Sequence, residues 1–150
     1  MQQSLKFEKY HPAIIGLVIA FAFYKAHAWF EFKMPCSNTY GYFSALITLG
    51  GIFVGLSSAA HSLIMSSEER TRTLEESGYM LTFERYTSES TMSAFLLIVL
   101  GVAGFFPKVA DCSIFIPATI GALSYSFMTI KRARGVSKAV ARYKKPIPAG

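Results

Sequence analysis

Apolar residues in this chain are gathered into long blocks, and ionised side chains mark where the blocks stop. No Asp, Glu, Lys or Arg occurs in residues 10–24, 34–67, 90–107 or 112–130, runs of 15, 34, 18 and 19 positions. A helix that crosses a bilayer needs about 17–25 apolar residues at about 1.5 Å each, so three runs are long enough and the first is nearly so. The pattern predicts an all-α, polytopic membrane protein with four transmembrane helices at about 12–30, 43–65, 90–106 and 113–130, paired as two hairpins in one domain. Pro107 would stop the third, and Pro117 falls in the first turns of the fourth, where a missing N–H matters least. The first stretch leads into YKAHAWFEFK and not into a small-residue processing site, so it is expected to remain as a helix.

Only 16% of the residues are charged and 52% are hydrophobic, against about a quarter charged in water-soluble domains. Four spans leave little chain for a separate soluble catalytic domain or a large ligand-binding ectodomain. Basic residues orient the spans, because Lys and Arg accumulate on the cytoplasmic side. With the N-terminus inside, Lys6, Lys9, Arg70, Arg72, Arg85 and the seven basic residues of the 131–150 tail lie inside, and Lys33 and Lys108 outside. The expectation is an N-in, C-in, multi-pass protein of the cell inner membrane, with the lipid bilayer as its first partner. Cys36 and Cys112 would then face one outer compartment, where a disulfide would tie the hairpins together if it is oxidising; otherwise both are free thiols. Two cysteines do not make the paired Cys-x-x-Cys relay of four-helix disulfide-generating enzymes.

In hydrocarbon, helices associate through close packing, which small residues permit. The second span carries Ser44, Thr48, Gly51, Gly55, Ser58 and Ser62 at spacings of 4, 3, 4, 3 and 4, one continuous stripe that includes a GxxxG pair. Looser versions follow in the third span (Ser90, Ala94, Gly101, Gly104) and the fourth (Ala118, Gly121, Ala122, Ser126). Such faces serve packing within one bundle, or line an oligomer axis or pore; their number leads us to expect a homo-oligomer. Lys25 is the one intramembrane charge, expected level with Gly50 and Gly51 and facing a lumen or partner, unless it snorkels past His27 toward Glu31. His61 is expected within a turn or so of the inner edge as a hydrogen-bonded interfacial residue. With His11, His27 and His61 the only histidines, no cluster has metal-ligand spacing, and neither metal nor cofactor is expected.

The cytoplasmic loop, 66–91, carries six glutamates against three arginines. Ser66 and Glu69 read as a capping box opening a short charged helix, which Gly78 would end in a left-handed conformation. Tyr79, Phe83 and Tyr86, spaced 4 and 3, then form an aromatic stripe on an interfacial helix that continues into the third span. The tail is basic throughout. Lys131, Arg134, Lys138, Arg142 and Lys145 recur at 3, 4, 4 and 3, one cationic face of a helix with Val136, Val140 and Tyr143 on another. That face can rest on anionic lipid, or dock to the acidic loop of a neighbouring subunit, a soluble partner or nucleic acid.

Nucleophile elbow, P-loop and paired catalytic carboxylates are all missing, so a non-enzymatic role is expected. EERTRTLEE superficially looks like the Glu/Arg motif of integral-membrane eicosanoid and glutathione-metabolising enzymes, but that motif needs a downstream Asn and the only one here is Asn38. Small multidrug exporters need a carboxylate in the middle of the first span, where this chain has none. The segment GGIFVGLSSAAHSLIMSSEERTRTLEESGYMLTFERYTSESTMSAF, with Gly78-Tyr79, Phe83 and Tyr86, resembles small four-span bacterial inner-membrane proteins of anti-phage defence systems, such as the membrane subunit of the Kiwa system. The resemblance covers about a third of the chain. It implies an oligomeric sensor or scaffold subunit that holds or releases a soluble cytosolic DNA-binding effector, with the aromatic stripe and basic tail as docking surfaces and the Gly51/Gly55 stripe as the element whose packing changes. A small oligomeric ion channel or transporter is the other class left open.

Overall fold

The computed structural model describes the backbone of residues 2–30, 36–110 and 112–142, and their side chains except at 2–9, 27, 28, 30, 36–39 and 140–142. Six helices and no strands occur among the described residues: α1 (Gln2–Phe30), α2 (Cys36–Met65), α3 (Glu68–Glu76), α4 (Met80–Ala103), α5 (Pro107–Ala110) and α6 (Phe115–Arg142). The apolar blocks are therefore the middles of longer helices. Two segments, Tyr40–Met65 and Met80–Ala103, are long and apolar enough to cross a membrane, where the sequence pattern led us to expect four. Among the described residues the apolar stretch of α1 is Tyr10–Ala26, 17 residues, and in α6 Lys131 and Arg132 follow directly on the stretch 115–130, which also carries Ser124, Tyr125, Ser126 and Thr129. Within the fold, 22% and 33% of the apolar windows of the two long segments are buried.

The break between α3 and α4 follows the expected chemistry at one end and departs from it at the other. Gly78 adopts φ 71°, Tyr79 N–H donates to Leu74 O and Gly78 N–H to Glu75 O, the paired bonds of a Schellman cap that only a residue at ease with positive φ closes without strain. The capping box is not formed: the N-cap is Ser67, with no side-chain cap bond, and Ser66 Oγ donates back to Leu63 O at 3.4 Å. From Met80, α4 runs unbroken into its apolar half.

Close approach of backbones fixes the order of the layers. A Cβ on Gly50 would lie 2.6 Å from Ile98 Cγ1 and 2.9 Å from Ala94 O, and one on Gly101 2.6 Å from Ile47 Cγ1 and 3.0 Å from Phe43 O, so α2 and α4 touch at glycine. Likewise a Cβ on Gly121 would meet Ala20 Cβ and Gly16 O, both at 2.7 Å, and one on Gly16 would meet Tyr125 Cβ at 3.1 Å, so α1 lies against α6. Ser93 and Thr129 join α4 to α6, and Tyr42 and Thr119 join α2 to α6. Together these contacts set α2 parallel to α6, and α1 and α4 antiparallel to both. The core divides in two: Phe43, Leu46 and Leu97 within the apolar bundle, and Ile64, Leu74 and Phe83, with Val136 against them, where α2, α3, α4 and the end of α6 extend beyond it.

Candidate functional site

The six-residue stripe on α2 lies on the surface of the fold. Ser44, Thr48, Gly51, Gly55, Ser58 and Ser62 are all exposed, whereas Phe43, Leu46, Gly50, Ser57 and Ile64 are buried. Ser44, Gly51 and Ser58 follow Phe43, Gly50 and Ser57 of the inward row by one position, which turns them about 100° around the helix. A Cβ added to Gly51 or Gly55 meets nothing within 4 Å, and Thr48 Oγ1 is occupied by Ser44 O of the preceding turn at 2.9 Å. Packing within one bundle is thus not the role of this stripe. The small faces of α4 and α6 do that work: Ser90, Ala94, Gly101, Gly104, Gly121 and Ser126 are buried, and the ring of Phe43 covers Gly104. Large side chains of α2 enter small positions of α4, a complementarity that neither helix shows alone.

Along the buried seam, hydroxyls pair across helices. Ser57 and Ser90 Oγ are 2.7 Å apart, Ser93 Oγ and Thr129 Oγ1 2.8 Å, and Ser126 Oγ donates to Ser93 O at 2.9 Å. One turn beyond, at the α3 end of the bundle, stands an ion cluster that sequence reasoning missed. Glu89 accepts from Arg85 Nε at 3.1 Å and faces Arg132 Nη1 at 3.7 Å. The Arg132 guanidinium lies 4.2 Å from the Tyr86 ring centroid, a cation–π distance. Arg132 is only 17% exposed, and its Nε and Nη1 are buried without a hydrogen-bond partner. The signal was available: Glu89 directly precedes one apolar block and Arg132 lies two residues past the end of the next, so an antiparallel pair brings them together.

The aromatic stripe is split by the fold. Tyr79 is exposed, Phe83 is fully buried, and Tyr86 is covered by Arg132, so the three do not form one docking surface. His61 stacks on Phe83, ring centroids 5.8 Å apart, beside a shallow cavity of about 410 Å³ that Ser58, Ser62, Glu84 and Thr91 also line. On α6, Lys131, Arg134 and Lys138 are exposed as one row while Val136 is turned inward; the Arg142 side chain and Lys145 lie outside the described residues. No group of three His, Cys, Asp or Glu able to hold a metal occurs among the described residues.

Lys25 and the cysteines gather at the opposite end. Ala20 lies against Gly121, so Lys25, five residues on, is level with the first turn of α6. Gly50, packed between Ala94 and Ile98, is level with Gly16, roughly 13 Å away along the axis at about 1.5 Å per residue. The expected levelling of Lys25 with Gly50 and Gly51 is therefore wrong, because α1 is shifted along α6 toward that end. The Lys25 ammonium lies 5.6 Å from the Phe21 ring centroid. Cys112 is an exposed free thiol; its expected partner Cys36 opens α2 at a similar level, with a side chain outside the described residues. Compared with known proteins, the chain matches no family model, no curated protein and no solved structure.

Proposed function

We propose that the chain is a four-span, N-in/C-in inner-membrane protein that assembles as a homo-oligomer and serves as the sensor or scaffold subunit of an anti-phage defence system, docking a soluble cytosolic effector through its inner face. The division of the surface carries this proposal. Leu17, Val18, Phe21, Ile52, Val99 and Phe127 are exposed alongside the stretch of α6 from Phe115 to Lys131, about 24 Å at about 1.5 Å per residue, against the roughly 30 Å of a bilayer core. Lys25 and Cys112 mark one edge of that band; Glu89, Lys131 and Arg132 mark the other. Beyond the second edge a helical stalk, with its own core at Ile64, Leu74 and Phe83, presents the exposed row Lys131, Arg134 and Lys138. The unpacked α2 stripe supports oligomerisation, since it is small-residue surface that one copy leaves bare. The defence context rests on the resemblance of residues 50–95 alone.

The test is co-purification from cells in which the chain is expressed beside its genomic neighbours. Wild type is expected to carry a cytosolic protein that a variant with Lys131, Arg134 and Lys138 changed to Ala loses; full complex formation by that variant overturns docking through the row. A channel is the second reading, favoured by the hydroxyls of Ser44, Thr48, Ser58 and Ser62 facing out of the bundle. It predicts ion flux from purified oligomers in liposomes, altered by Gly51→Leu, and tight vesicles remove it.

A further inference from the structure

We infer that the trough between α1 and α6 is a binding site for one acyl chain of an anionic phospholipid, whose headgroup phosphate is held by Lys25; this rests on the membrane-spanning assignment above. The trough measures about 660 Å³, inside the roughly 300–1,000 Å³ of ordinary ligand pockets. Its floor is low because Gly16, Ala20, Ala118 and Gly121 carry almost no side chain, and Leu96 of α4 and Tyr125 line it as well. Lining residues of α6 run from Ile114 to Tyr125, about 16 Å at about 1.5 Å per residue, or half of a bilayer core roughly 30 Å thick. A helix of a second copy would run the full depth; a lipid tail runs one leaflet, and this trough begins at an edge of the apolar band and stops near its middle.

Charge selects the headgroup. Phe21 forms part of the wall, and the exposed Lys25 ammonium stands 5.6 Å from its ring centroid. A cation beside a trough lined almost wholly by hydrocarbon is complementary to an amphiphile with a negative head and an alkyl tail. The site thus lies in the leaflet on the Lys25 side, away from the basic tail and its own lipid contacts.

Native mass spectrometry of the detergent-solubilised chain, titrated with phosphatidylglycerol and with phosphatidylcholine, reads the site. One phosphatidylglycerol per subunit is expected to survive, with phosphatidylcholine held less well. Lys25→Gln should weaken phosphatidylglycerol retention roughly fivefold, the effect of one lysine at an anionic surface, and bring it to the phosphatidylcholine level. Ala118→Phe should abolish retention of both by filling the floor; Leu96→Trp, on an exposed wall where folding is not at stake, should do the same, with helicity by circular dichroism unchanged. Retention unaffected by Lys25→Gln and Leu96→Trp overturns the site, as does equal binding of the two lipids. A changed subunit number in Leu96→Trp with lipid retention intact overturns it in favour of a second copy in the trough. Recovery of wild type from the soluble fraction without detergent overturns the membrane assignment and the site together, whereas recovery from membranes with unresponsive lipid binding overturns the site alone.

Discussion

Arg132 shows how unequal the two halves of a partly buried ion pair are. Glu89 has a second cation, Arg85 at 3.1 Å, so it stays compensated when Arg132 is removed. Among the described residues Arg132 faces Glu89, at 3.7 Å, and the Tyr86 ring; two of its N–H-bearing nitrogens have no acceptor there. Removing one partner of such a pair is far costlier when the survivor is left alone with its charge, and replacing a buried charge by an apolar group of similar volume can be close to neutral. Glu89→Ala is therefore expected to lower stability by about 3 kcal/mol, while Arg132→Met, which removes the unpartnered donors and keeps the aliphatic stem over Tyr86, should shift it by less than about 1 kcal/mol. Thermal unfolding in detergent micelles followed by circular dichroism compares the two, and equal losses would mean that the pair acts as a simple bridge.

At the scale of the element, α2 separates what periodicity can and cannot reveal. Its C-terminal end at Met65 and the unbroken run of α4 from Met80 follow from where charges and Gly78 fall, and those features were legible; its start at Cys36, seven residues before the expected position 43, was not. Which of two adjacent rows faces inward was not. The stripe containing Gly51 and Gly55 is the more regular pattern in the sequence, yet Gly50, with no partner glycine on α2, is the residue that α4 touches, because the matching small positions, Ala94 and Gly101, belong to the other helix. Neighbouring glycines should accordingly behave in opposite ways. Gly50→Ala must displace Ile98 and the Ala94 carbonyl and is expected to cost about 1–3 kcal/mol, the usual range for overpacking. Gly51→Leu enters open space and should leave the unfolding temperature of the isolated subunit unchanged while lowering the subunit number seen by crosslinking in membranes. Loss of stability in Gly51→Leu without any change in assembly would place the stripe inside the fold after all.

For the whole molecule, the contacts between helices give a test that none of the single spans gives. Sequence blocks placed Cys36 and Cys112 between spans by counting; the structure places them by register, through the Tyr42–Thr119 bond of 2.6 Å between parallel helices, six residues after one cysteine and seven after the other. What the blocks could not show is that α1 and α6 lie against one another at Gly16 and Gly121. If that band is the bilayer, Cys112 and Lys138 lie on opposite sides of it, and the excess of Lys and Arg beyond Ile130 puts Lys138 in the cytosol. An impermeant maleimide applied to intact, reduced cells should label Cys112 at once, and a Lys138→Cys variant on a Cys-free background only after the membrane is permeabilised. Labelling of both positions in intact cells would mean that the chain does not separate two compartments. Protection of Cys112 with labelling at position 138 would keep the band and invert it, and the exposed row Lys131, Arg134 and Lys138 would then have no access to a cytosolic partner.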